Sequence, residues 1–260
     1  MNLIKKRIKE EYEDYLRLGY CQKAKELNEK MGIDNFFDIH NPHYFTGKLD
    51  RKVVAVNLNP KRDYSDRTNQ PSFNSFEEFW DHYENFGKNI YELPENKKTS
   101  KFDNKQVRFY KGAGLLNLKE KEENLADKFN NLKLVMENKL QWELIPYGSP
   151  DFTFGKIGIE NIKPFLIDAV KIATLYQRDY IFFNGAVFRG LLTFDNIKCV
   201  SKHKFKLKKN DGTYAKREDH EIINILINNN IKAAILSHYA YFNTPLPDYG
   251  RMVVNLYHKS

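Results

Sequence analysis

From residue 2 to 31 apolar positions recur at helical spacing: Ile4, Ile8, Tyr12, Tyr15 and Leu16 form one stripe, with Lys and Glu between them. The pattern predicts one long helix, or two broken near Gly19, followed by the loop "HNPHYFTGKLD". Arg51 to Leu58 is a short continuous apolar run, the first strand, and it ends in Asn57, Asn59 and Pro60. Ser75 to Asn85 is helical, with Ser75 as N-cap and Glu78 in the capping-box position. "ENKKTSKFDNK" is expected to be a mobile loop, and a helix is expected between Leu115 and Asn130. "LKLVM" and "WELIPYG" are the next strand candidates. An amphipathic helix over Glu160 to Gln177, a strand in "DYIFFNG" and a helix in "AVFRGLL" follow. Residues 203–217, "HKFKLKKNDGTYAKR", predict a basic hairpin turning at Asn210, Asp211 and Gly212, because Asp-Gly supplies positive φ angles. A helix over Asp219 to Asn229 and a last strand, "IKAAILSHYAYFN", complete the pattern.

Strands alternating with helices predict an α/β fold: a central, mainly parallel sheet of four to five strands flanked by helices in three α/β/α layers. Residues 1–50 form an N-terminal helical extension on a 51–260 domain, with 203–217 a hairpin insertion. In such sheets ligands bind beyond the C-terminal strand ends. Here those ends read "NLNP", "IPYGS", "FNG" and "SHYAYFN".

Composition narrows the class. At 260 residues, with 41% hydrophobic and 14% aromatic residues, the chain is neither disordered nor membrane-spanning. Its charged N-terminus does not resemble an export signal. Two cysteines, Cys21 and Cys199, are too few for a four-cysteine metal or iron–sulfur site or a disulfide framework. A cytoplasmic protein without metal or other cofactor, without a membrane partner, and monomeric, is expected. A formal charge of +8 favours a polyanionic partner without identifying one, and a plain solvated surface accounts for it nearly as well. No G-x-x-x-x-G-K-[ST] phosphate loop and no G-x-S-x-G elbow occurs, which argues against a nucleotide-binding or esterase fold.

Taken together and in order, three strand-end motifs resemble the uracil-DNA glycosylase superfamily. "VVAVNLNP" resembles its first motif, a strand ending in Gly-x-Asn-Pro or Gly-Gln-Asp-Pro. "DYIFFNGAVFRGLL" is similar to its apolar strand followed by Gly and a short helix. "ILSHYAYFN" resembles the strand that runs into His-Pro-Ser-Pro. The likeness covers roughly residues 50–257. The chain departs from the pattern at Asn57, where Gly is usual, and at Tyr239 and Ala240, where Pro and Ser are. Lys61 stands where uracil-specific members have Tyr, and Pro146 to Ser149 where many relatives have a base-reading Asn.

The resemblance implies a monofunctional DNA glycosylase that hydrolyses the N-glycosidic bond of a flipped uracil-like or modified pyrimidine, in DNA repair or against modified phage DNA. The alternative is a catalytically silent module of the same fold that binds nucleic acid or protein. Asn59 would orient the water and His238 would donate to the departing base, while Asn57 is a further water ligand or a turn residue and Asp63 a rival base or a helix cap. Pro60, Lys61, Phe73, Tyr147, Ser149 and Asn184 are candidates for the base pocket, with Phe73 or Phe76 the stacking ring. Tyr241, Phe242, Asn243 and Leu246 lie where relatives insert a wedge into single- or double-stranded DNA. Lys206, Lys208 and Lys209 of the basic segment either meet phosphates or guard an exposed sheet edge.

Overall fold

The computed structural model describes residues 3–58, 60, 71–92, 99–149, 154–208, 211–214, 220–238 and 245–260, without the side chains of residues 154 and 156. In chain order the elements are α1 (Leu3–Leu18), α2 (Gln22–Met31), β1 (Phe45–Thr46), β2 (Val53–Asn57), α3 (Phe76–Glu84), α4 (Phe86–Tyr91), α5 (Lys101–Ala113), α6 (Leu125–Asn138) and β3 (Lys139–Glu143). Then follow α7 (Phe154–Ile157), α8 (Ile159–Ala173), β4 (Tyr180–Asn184), a 3-10 helix (Ala186–Thr193), β5 (Ile197–Phe205), β6 (His220–Ile227), β7 (Ile231–Leu236) and α9 (Leu246–His258).

The strands described form one open, mixed sheet of seven in the order β1-β3-β2-β4-β7-β6-β5. Its middle is parallel: β3 and β4 flank β2, and β7 flanks β4. The edges are antiparallel, β1 on β3 at one side and β6 and β5 beyond β7 at the other. The sheet is thus wider and more mixed than the four to five strands expected.

Strand alternation gives the sheet two coated faces. Val54, Val56, Leu140, Trp142, Ile181, Phe183 and Ile235 face a core shared with α1, α2, α3, α8 and the 3-10 helix. Val53, Phe182, Ala234 and Leu236 face α5, α6 and α9. Ile8 and Tyr12 of α1 are buried in the first of these cores, so residues from the N-terminal 50 help build it. The break between α1 and α2 comes at Gly19, whose φ is 76°. Ser75 caps α3 as its pattern predicts, accepting from the Glu78 N–H at 3.2 Å.

Three predicted elements are corrected. The second half of "ENKKTSKFDNK" is the start of α5, capped by the Ser100 hydroxyl on the Asp103 N–H. "LKLVM" is helical: Phe129, Leu132, Val135 and Met136 recur at helical spacing on the buried side of α6, which starts at the Asn124 cap. Asp219 to Asn229 contains β6, whose isoleucines are buried on both faces between β5 and β7, so tertiary pairing overrides the helical reading. Within the basic segment 203–217, residues 203–205 end β5, which pairs antiparallel with β6, and among the described residues beyond them an antiparallel bridge joins Lys208 to Tyr214 across Asp211 and Gly212.

α9, which the apolar pattern did not reveal, packs on α5 at backbone distance. A Cβ on Gly112 would overlap the Pro247 backbone, and one on Gly250 would overlap the Phe109 carbonyl. α5 in turn flanks the C-terminal end of the sheet.

Candidate active site

The parallel register brings four strand ends level: Asn57 pairs with Glu143, Val56 with Phe183 and Asn184 with Leu236. Because side chains alternate, Glu143, Asn57 and Asn184 point to the α5 face, and His238, two residues past Leu236, shares it. The chain runs from β2 to β3 on one side of β2 and to β4 on the other. The boundary between β2 and β4 is therefore a topological switch point, where α/β sheets form their crevice. Asn57 and Asn184 meet there, Asn184 Nδ2 donating to Asn57 Oδ1 at 2.9 Å.

β3 carries an unusual row for an interior strand. Lys139, Gln141 and Glu143 alternate with Leu140 and Trp142, and all three polar side chains are buried. Buried charge is tolerated only when it is paired and hydrogen-bonded. Lys139 Nζ donates to Gln141 Oε1 at 2.8 Å, and Gln141 Nε2 donates to Glu143 Oε1 at 2.7 Å. Nearby, Asp103 of α5 accepts from the Tyr91 hydroxyl at 2.5 Å and from Gln106 Nε2 at 3.0 Å.

Burial sets the ionisation of the row. Desolvation pushes the Glu143 carboxyl up to about 7, against the opposing pull of the Gln141 hydrogen bond, Lys139 and the Asn57 amide. It pushes Lys139 down to about 8, opposed by Asp103 and Glu143, and raises Asp103. His238 is pushed down to about 4, mainly by burial, with Lys105 adding to the shift. Its imidazole stacks on Phe102 at the start of α5, centroids 6.1 Å apart, and is neutral at pH 7.

The amides are oriented by charge. Asn57 Nδ2 is turned toward Glu143, where it favours the ionised carboxylate, and the reverse orientation would set oxygen against oxygen. Asn57 Oδ1 then receives Asn184 Nδ2. Asn184 Oδ1 is buried and, among the described residues, has no hydrogen-bond partner, which is costly inside a fold.

Of the residues read from sequence, the structure joins Asn57 to Asn184, and His238 lies two residues past Leu236, the residue that pairs with Asn184. The Pro60 carbonyl accepts the Ser149 N–H at 3.2 Å, joining those two beyond the strand ends. Three further candidates are placed by their packing. Tyr147 is buried in the opposite core, its phenol near Glu11, Cys21 and Arg7. Phe73 packs its ring on Phe79, His82 and Tyr83, and Phe76 is core. Leu246 is the buried first residue of α9. Lys206 and Lys208 are exposed, with the Lys208 ammonium 5.8 Å from the Tyr214 ring centroid. Asn59, Lys61, Asp63, Lys209, Tyr241, Phe242 and Asn243 lie outside the described residues.

Glu143, with Gln141 and Lys139 behind it, escaped the sequence reading. The signal was there: "KLQWE" alternates polar and apolar residues in a strand with parallel neighbours, where continuous apolar sequence is the rule. A separate cavity of about 390 Å³ opens at the opposite, N-terminal strand ends, lined by Asp50, Arg51, Lys52, Asn138, Asp179 and Tyr180. Among the described residues no group of three His, Cys, Asp or Glu could hold a metal ion, and no helix is long and apolar enough to cross a membrane.

No family model, curated protein or solved structure matches the chain.

Proposed function

We propose that the chain is a monofunctional DNA glycosylase acting on a uracil-like or modified pyrimidine. The observation that carries this reading is the polar row Glu143–Asn57–Asn184–His238 on one face at the C-terminal ends of parallel strands. In this reading β3-β2-β4-β7 is the catalytic core and the β5–β6 hairpin an insertion on its edge. An extruded base enters the crevice, water bonds to the sugar C1′ as the C1′–N bond breaks, and the electron pair leaves with the base. Asn59 holds that water through its side-chain carbonyl. The neutral His238 imidazole donates a hydrogen bond to the base carbonyl as negative charge develops there, without needing to lose a proton first. The water's proton passes to the base or to solvent.

The test is a screen for abasic sites across DNAs bearing uracil, mismatched thymine, cytosine and 5-substituted cytosines. Asn59→Ala and His238→Ala are expected to lose base release while retaining DNA affinity. If the wild type forms no abasic site on any of these DNAs, the glycosylase reading fails and the silent binding module takes its place.

A further inference from the structure

At the edge of the sheet β5 is coated on one side only. Phe205 and Leu207 pack into the core under α9, while Lys202, Lys204, Lys206 and Lys208 alternate with them and are exposed on the other face. Alternate strand residues stand about 6.6 Å apart, close to the repeat of phosphates along a nucleic-acid strand. β5 runs antiparallel to β6 and β6 antiparallel to β7, so the lysine row climbs toward the same end of the sheet as the candidate site. Lys204 pairs with Glu221, and Glu221 exchanges backbone and hydroxyl hydrogen bonds with Ser237, the residue before His238. Two strand spacings, about 10 Å, therefore separate the row from the end of β7.

We infer that this face is a track for single-stranded DNA, with Lys204, Lys206 and Lys208 at phosphates and the Tyr214 ring stacked on a base. That the strand is DNA rests on the glycosylase reading, whereas the track rests on the surface alone. Tyr214 bridges to Lys208 and so shares its face, lies 5.8 Å from the Lys208 ammonium, and is 54% exposed. A basic row beside an open aromatic ring is the combination that holds unpaired strands, because bases inside a duplex already have both faces covered. Beneath the row the buried Glu221 carboxylate is shared by Arg189 of the 3-10 helix and Lys202, which leaves this face with an excess of positive charge. Lysines that only guard a sheet edge have no need of the ring, nor of Lys206 and Lys208 beyond the last ladder pair, Phe205 with His220.

The experiment titrates labelled oligothymidylate, its duplex with oligoadenylate, and oligouridylate against the full chain across a salt series, read by fluorescence anisotropy. Wild type is expected to bind oligothymidylate most tightly. Tyr214→Ala is expected to weaken that binding roughly fivefold or more while leaving duplex binding unchanged, and Tyr214→Phe to restore it. Changing Lys204, Lys206 and Lys208 to Ala is expected to lower the salt slope by about 0.7 per contact on the single strand, against about 0.9 on a duplex. These positions are exposed, and an unchanged denaturant midpoint shows that each variant is folded. A duplex bound as tightly as the single strand, a Tyr214→Ala variant that binds like wild type, or an unchanged slope overturns the track. Tighter binding of oligouridylate overturns the assignment to DNA, and displacement of the oligonucleotide by polyglutamate at equal charge makes the face a site for acidic protein instead. No step requires base release: single-strand binding without abasic sites removes the glycosylase reading alone, and abasic sites without single-strand preference remove the track alone.

Discussion

The two ends of the parallel strands each hold a charged side chain pulled out of water, and they use it differently. At the N-terminal end Arg178 donates to the backbone carbonyls of Leu49, Arg51, Ile172 and Ala173, tying the segment before β2 to the end of α8. At the C-terminal end Glu143 is held by side-chain amides, and the chain of amides ends at Asn184 Oδ1, which has no partner among the described residues. Burial shifts both groups. Arg178 falls to about 10 and stays charged at neutral pH, whereas Glu143 rises to about 7, the midpoint of its titration. A brace and a site share one physical cause, and the reference value of the side chain decides which it becomes.

The comparison breaks first at the brace. Arg178→Ala leaves several carbonyls without their donor and is expected to cost about 3 kcal/mol in denaturant unfolding, while base preference per folded molecule stays the same. At the other end the sensitivity is to pH. The Glu143 carboxyl ordinarily titrates at 4.5, so between there and about 7 the folded protein keeps a proton that the unfolded chain has lost. Stability from this group is full below 4.5 and is lost as pH rises through 7. Lys139 has the opposite sign: shifted from 10.5 to about 8, it returns stability as pH rises across that window. Denaturant midpoints of Glu143→Gln against wild type should therefore diverge in favour of the variant from pH 4.5 to 7 and stay parallel from there to pH 8.

Smaller effects sharpen the contrast. Asn57→Leu with Asn184→Leu removes both amides and the hydrogen bond between them together, and is expected to unfold within about 1 kcal/mol of wild type. The same double variant should abolish base release, because stability and function are separable at this end of the sheet. Smallest of all, Lys204, Lys206 and Lys208 changed to Ala should move stability by less than about 0.5 kcal/mol. If these lysines meet phosphates, titration of DNA affinity against salt will show the slope falling by about 0.9 for each contact removed, with base choice unchanged. An unchanged slope makes them edge guards alone.

What sequence revealed follows from what pattern can carry. Apolar runs ending in polar residues located the ends of β2, β4 and β7, and with them Asn57, Asn184 and His238. Reading "WELIPYG" as one strand placed the end of β3 at Pro146 and Gly148, some residues too late, so Glu143 was passed over as strand interior. β6 was misread because "HEIINILI" is apolar enough for helix or strand, and only its neighbours decide. Phe73 and Tyr147 are read into the pocket and Leu246 into the wedge by their position along the chain, yet an apolar ring or branch carries no sign of which core will take it. Charge orientation of the amides was beyond sequence altogether, since it depends on register across three strands.

The glycine contact between α5 and α9 has a mechanical consequence. With Gly112 seated on Pro247 and Gly250 on Phe109, the two helices have no side-chain cushion between them, and an alanine at either glycine would have to part α5 from α9.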